Sequence, residues 1–232
     1  MRKNTVVIAA VCLMFASCNK VVVKRPYTFN EDYKSVNLAD RKIILVYPSD
    51  DRIVVRNKDD VFDDFGGANT KPESRIRKFY FAEFFTTFKS LISGDSVLLS
   101  NARFADSTWK ALPKKEIPLK PNPDSAEMRY EIPEKAALDS LGLDSAVFVF
   151  MQRIEFKRNN FHVEYYWDDK SRRPANLEVT MNLLLWDYKS NTPIFYGPLT
   201  ERTEFQFGLQ RKHWDESAHA LAKKLISAAR CL

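Results

Sequence analysis

Cysteine, histidine and glycine are all scarce in this chain, and each scarcity narrows what it does. Three cysteines occur in 232 residues, at positions 12, 18 and 231. None has a near partner, so a paired-thiol metal site is not expected. Three histidines occur, His162, His213 and His219. His162 falls in an alternating stretch opposite the apolar set, where exposure is expected. His213 and His219 are six apart, which on a helix turns them to different sides, unlike the four-residue spacing of zinc proteases. Asp215, Ser217 and His219 cannot form a hydrolytic triad, because alternate residues of a helix diverge. Six glycines supply no nucleophile elbow, phosphate loop or dinucleotide fingerprint. Beyond the first residues no apolar run approaches the ~20 residues of a spanning helix.

What is present begins at the amino terminus. Arg2 and Lys3 precede an apolar stretch from Val6 to Ala16, the layout of a secretory signal. Phe15, Ala16, Ser17 and Cys18 resemble a lipobox, with Phe15 in place of the usual Leu. Residues 1–17 are therefore expected to be removed, leaving Cys18 as the lipid-bearing first residue. At ~0.8 kcal/mol per buried methylene, several acyl chains anchor a protein firmly. Asn19 follows, and in the lipoproteins this segment resembles a residue other than Asp there goes with the outer membrane, the globular part facing the periplasm. Cys12 leaves with the signal and Cys18 is acylated, so Cys231 alone remains and an internal disulfide is excluded.

The mature chain loses two of 36 basic residues and none of 30 acidic ones, a mild positive excess spread along its length. Hydrophobic residues at 45% and aromatics at 13% argue for a packed core. Residues 18–40 mix charges with Pro26, Asn30 and Asn37 and are expected to be a lipidated tether. Such a tether reaches at most about 75 Å and averages about 26 Å as a coil. Residues 41–232 are expected to form one domain, with an irregular, proline-rich insertion near 105–132 containing Pro113, Pro118, Pro121 and Pro123.

Within that domain, Lys42 to Tyr47 predicts a strand with a short partner at Arg52 to Arg56. Phe81, Phe84, Phe85, Phe88, Leu91 and Ile92 repeat at helical spacing, opened by a capping box at Thr70 to Glu73 and closed by Gly94. Val97 to Leu99 suits a short strand. Pro133 opens and Gly142 ends a short helix. Ala146 to Met151 is continuously apolar and then alternates through Ile154 and Phe156, which predicts a central strand whose far end emerges into water. Leu177, Val179, Met181, Leu183 and Leu185 alternate in the next strand. A further strand follows from Ile194 towards Phe207, with Pro198 demoting its middle to an edge or bulge. Trp214, Ala218, Leu221, Leu225 and Ala229 share one face of a last helix.

The fold class expected is α+β, an α/β sandwich with a mixed, largely antiparallel sheet covered by helices. Three stretches carry a family resemblance: Lys42 to Pro48, Leu141 to Ala146, and Leu185 to Ser190 continuing to Ile194 and Phe195. They resemble the opening strand, the glycine-aspartate turn and the late hairpin of the anticodon-binding-like domain of envelope lipoproteins, as in curli-secretion-type lipoproteins and the amino-terminal domain of the Tol-system propeller protein. Leu143 and Asn191 depart from that pattern. Members of the family serve as pore subunits, synthase activators or assembly factors, so the resemblance implies a fold and no single task.

For chemistry the sequence offers little. Asp59, Asp60, Asp63 and Asp64 are dense but fit no calcium-loop template, and neither metal nor cofactor is expected. Tyr165, Tyr166, Trp167, Arg172 and Arg173 form the one aromatic-basic patch, a candidate contact surface for protein or glycan; nucleic acid is not expected as a partner of an exported, acylated chain. The expected role is a non-catalytic binding or assembly factor for envelope proteins or cell-wall components such as peptidoglycan, with oligomerisation open. Two alternatives stand beside it: an oligomeric secretion-pore subunit, and a hydrolase of envelope polymers using carboxylates such as Glu155, Asp168 or Asp187.

Overall fold

A run that is apolar at every position must be buried on both faces, and Val147 to Met151 is such a run. It begins β7 (Val147–Asn160), the strand around which the sheet is built. The computed structural model describes residues 25–38, 41–56, 76–92, 97–99, 110–160, 175–205, 209–229 and 232. Among them β7 pairs antiparallel with β8 (Ala175–Asp187), which pairs antiparallel with β9 (Thr192–Phe205). On its other edge two short strands lie end to end and parallel to it: β2 (Ile43–Val46) beside Val147 to Phe150, and β3 (Ile53–Val55) beside Ile154 to Phe156. The link between them is longer than the gap it crosses on β7, and the surplus is taken up by a 3-10 turn at Asp50–Arg52. The expected partnership of β2 with β3 is thus replaced by a shared partner. Parallel β4 (Val97–Leu99) flanks β2, and β1 (Thr28–Phe29) lies antiparallel to β9. The sheet is mixed and mostly antiparallel, the α+β class expected.

Buried positions on β7 step from Val147, Val149 and Met151 to Ile154 and Phe156. The slip in phase marks a bulge, where the register against β8 jumps between Met151 and Arg153 and leaves Gln152 as the extra residue.

One face of the sheet is covered along its length by two helices, α1 (Phe81–Ile92) and α3 (Arg211–Ala229). Phe81, Phe84, Phe88 and Ile92 of α1 are buried as their spacing predicts, whereas Leu91 is 41% exposed. A π-helical turn at Ile76–Tyr80 leads into α1; the expected cap at Thr70 to Glu73 and the stop at Gly94 lie outside the described residues. Trp214, Ala218, Leu221, Leu225 and Ala229 of α3 are all buried. His213 sits three residues after Gln210, and its Nδ1 accepts the Gln210 backbone N–H at 2.9 Å, half of a capping box.

Among the described residues the opposite face is covered over half its length. The proline-rich stretch, expected to be irregular, is a β-hairpin there: β5 (Lys114–Leu119) pairs antiparallel with β6 (Met128–Pro133). Proline enters it without loss because a two-stranded ribbon is all edge: Pro118 opposite Arg129 and Pro133 opposite Lys114 can each turn the missing N–H outwards. Residues 105–109 lie outside the description. A short helix, α2 (Lys135–Asp139), then ends in a Schellman motif. The Leu143 N–H bonds the Leu138 carbonyl and the Gly142 N–H bonds that of Asp139, both at 3.1 Å, with Gly142 at φ +65°.

Residues 25–38, expected to be tether, are docked instead. β1 adds to the sheet, Tyr33 and Leu38 are buried, and the Thr28 hydroxyl donates to the Pro121 carbonyl. Short strands and isolated apolar residues carry no period, which hides such a strap in the sequence. Its path over β9 requires glycine: a Cβ on Gly197, at φ +128°, would stand 2.7 Å from the Tyr27 Cα.

Candidate functional site

Where the hairpin cover ends, the sheet opens. On that face β7, β8 and β9 present Arg153, Glu155 and Lys157, then Glu178, Thr180 and Asn182, then Thr200 and Arg202, all partly or fully exposed. At the boundary the hairpin rises from the sheet and leaves a cleft of about 380 Å³, lined by Asp51, Arg52, Val54, Met128, Arg129, Tyr130, Gln152, Arg153 and Asn182. Four elements meet in it: the 3-10 turn with β3, strand β6, the bulge of β7, and β8.

The bulge residue holds this cleft open at a fixed width. Because Gln152 is surplus to the ladder, its side chain is free to turn to the hairpin. There its amide imitates a neighbouring strand: Nε2 donates to the Glu131 carbonyl at 2.8 Å, and Oε1 accepts the Glu131 N–H at 3.4 Å. The same Oε1 accepts from Arg52 Nη1 at 3.1 Å, while Arg52 Nη2 reaches the Glu131 carboxylate at 3.1 Å. Lys114 bonds the other Glu131 oxygen at 3.1 Å. Arg52 is thereby a pre-positioned guanidinium. The other two arginines are held loosely. Arg129 is 73% exposed and 3.4 Å from Glu116; Arg153 is 50% exposed and 3.6 Å from Glu155.

A second polar cluster lies at the closed end of the sheet, and its role is structural. Asp187 Oδ1 accepts from Arg41 Nη2 at 2.6 Å and from the Lys189 N–H at 2.8 Å, and Oδ2 accepts from the Tyr33 hydroxyl at 2.8 Å. The Tyr33 oxygen also meets Ser190 and Thr192 at 2.5 and 3.0 Å, and Arg41 reaches the Ser145 carbonyl. Burial acts to raise the Asp187 carboxyl, but the Arg41 guanidinium, the Tyr33 hydroxyl and Ser190 outweigh it and hold the pKa at about 2. This cluster pins the amino-terminal strap to the β8–β9 turn, where Asn191 takes a left-handed φ of 57°.

The two described carboxylates singled out for hydrolysis do not meet. Glu155 stands opposite Thr180 on the open face, paired with Arg56 at 3.0 Å and near Arg153, while Asp187 stands opposite Val147. Seven residues of β8 separate the two levels, about 23 Å at strand rise, beyond the 5 to 10 Å of a glycosidase pair. His213 is buried against Phe205, with ring centroids 5.4 Å apart, and His219 Nδ1 lies 2.8 Å from the Thr87 hydroxyl between α3 and α1. Among the described residues no group of His, Cys, Asp and Glu is arranged to hold a metal ion, and no helix is long and apolar enough to cross a membrane. Cys18, the contact surface of Tyr165, Tyr166, Trp167, Arg172 and Arg173, the acid Asp168, His162 and the acidic run Asp59 to Asp64 all lie outside the described residues.

Nothing in the local sequence singles out Arg52, Arg129 or Asn182. One signal for the site was present, the three-residue step from Met151 to Ile154 in an otherwise two-residue alternation, which places a bulge at Gln152. That the proline-rich segment would fold back over this bulge had no local signature.

No protein-family model and no curated protein matches the chain. Several solved structures are similar at low level. A neuraminyllactose-binding hemagglutinin homologue from Helicobacter pylori aligns at 13% identity over 84% of each chain, with a TM-score of 0.41. The PelC dodecamer from Paraburkholderia phytofirmans aligns at 10% identity over 89% of this chain and 96% of that one, with a TM-score of 0.37. A protein of Chlamydia trachomatis aligns at 10% identity over 82% of this chain and 96% of that one, with a TM-score of 0.34.

Proposed function

We propose that this chain is an envelope lipoprotein, acylated at Cys18, whose domain binds or assembles envelope components without transforming them. The observation that carries the binding role is the cleft at Gln152. Arg52, Gln152 and Glu131 hold one another there through an ion pair and hydrogen bonds that belong to the fold itself, and the cleft offers guanidinium and amide donors. Its lining joins arginine and amide side chains to an apolar wall, the composition of a site that recognises a polar ligand.

The lipobox-like Phe15 to Cys18 supports the anchor, and Asn19 an outer-membrane position with the domain in the periplasm. The three stretches that resemble anticodon-binding-like envelope lipoproteins support the class. Docking of the strap tightens the geometry, because only the chain between Cys18 and Arg25 then separates lipid from domain, at most about 25 Å. A lipid on Cys18 therefore keeps the β1–β9 side close to the bilayer, within reach of a membrane protein or the peptidoglycan layer.

Metabolic labelling with an alkynyl fatty acid tests the anchor. The native chain takes up label and fractionates with membranes, while Cys18→Ser loses both. A native chain with an intact, unmodified amino terminus in the cytoplasm would overturn the proposal. Crosslinking in intact cells tests the role, and a reproducible envelope partner is the expected result.

A further inference from the structure

We infer that the cleft beside Gln152 is a binding site for a small hydroxylated oxyanion, a sugar-sized molecule carrying a carboxylate or a phosphate. This deepens the binding role proposed above and rests on it. Three arginines, Arg52, Arg129 and Arg153, line the cleft from three separate elements, each with a glutamate partner, and Asp51 is the one acidic residue in the lining. A planar guanidinium presents paired N–H donors that match two oxygens of a carboxylate or phosphate.

The three arginines are not equivalent, and the difference is what a binding site needs. Arg52 is fixed by Gln152 and Glu131, each at 3.1 Å. Arg129 and Arg153 stand at the mouth with carboxylate partners at 3.4 and 3.6 Å, contacts long enough to be exchanged for an incoming oxyanion at little cost. Behind them the Asn182 amide and the second Nε2 hydrogen of Gln152 can meet hydroxyl groups, and Val54 and Met128 give an apolar wall. A cleft of about 380 Å³ lies at the lower end of the range for small-molecule sites, too small for a folded partner and suited to one or two rings.

Titration calorimetry on the purified full chain at low salt tests this, with D-glucuronate, inorganic phosphate and D-glucose as probes. Glucuronate, phosphate or both should bind, and glucose should bind at least about tenfold more weakly. Binding of glucuronate alone assigns the carboxylate, and binding of phosphate alone the phosphate. Arg129→Gln and Arg153→Gln should each weaken the bound anion about tenfold, and neither should shift thermal unfolding, since both side chains are exposed. Three results overturn the inference: no anion binds, glucose binds equally well, or the two variants bind like the native chain. The anchor is read separately by fatty-acid label. Loss of anion binding with label intact removes the ligand class alone, and loss of label with binding intact removes the anchor alone.

Discussion

The two halves of one sheet are built on opposite plans. At the end where β7 begins, both faces are covered: helices α1 and α3 lie on one side, the hairpin and α2 on the other, and consecutive residues from Val147 to Met151 are buried. Past the bulge at Gln152 the described residues cover only the helical side, and the other face becomes a ladder of charges and hydroxyls, with Arg202 on Glu178 at 2.6 Å and Thr180 on Thr200 at 2.9 Å. The same three long strands thus serve as core at one end and as a receptive surface at the other. A stable base lets the chain leave a polar face open, because the burial that offsets chain entropy is concentrated elsewhere.

The sharpest break in this comparison is a cavity at the closed end. Phe148 is fully buried, stacked at 5.4 Å on Phe150 and edge-on to Tyr188 at 5.0 Å. Phe148→Ala should cost about 4 kcal/mol in urea unfolding, while Thr180→Ala on the open face should cost under about 1 kcal/mol. Equal losses would dissolve the distinction.

Next in size is Asp187→Asn, which leaves Arg41 without its anion and should cost about 3 kcal/mol. The native chain carries the matching pH dependence. Its Asp187 carboxyl titrates at about 2 when folded, against 3.8 ordinarily. Its contribution is therefore complete above the ordinary value and lost as pH falls through that value towards 2. About 2 kcal/mol should disappear over that range, and the Asn variant should lack this part of the acid loss in chemical unfolding followed against pH.

Gly197→Ala should cost about 2 kcal/mol, since the added carbon meets Tyr27 backbone that cannot move without leaving β9. Hydrogen exchange should then show residues 27–33 losing protection while β8 keeps its own. The smallest effect belongs to the open face. Arg202→Ala removes an ion pair whose arginine is 66% exposed, and unfolding should shift by about 0.5 kcal/mol or less.

Much of this fold was legible residue by residue. Ala146 to Phe156 announced a central strand, Leu177 to Leu185 its neighbour, and Trp214 to Ala229 the closing helix, because each buries a long face and long faces impose a period. Pro198 sits in β9 on an edge that β1 pairs at Tyr196 and Phe195 alone, which agrees with the reading of an edge strand. The hairpin and the strap were misread for one shared reason. Each is held by partners far along the chain, the hairpin by Gln152 and the strap by Asp187 and β9, so neither needs a period of its own. The candidate site was the least legible part, since Arg52, Arg129 and Arg153 look in sequence like ordinary surface arginines.

The sequence by itself determined the α+β class, the central strand, the helical layer and the lipobox-like start, all of which follow from local spacing of apolar and small residues. Tertiary structure alone decided which half of the sheet is covered, and therefore where a cleft remains. That choice depends on a folded-back hairpin, a single surplus residue and bonds between side chains separated by tens of positions, and contacts of that range leave no periodic mark on the chain that makes them.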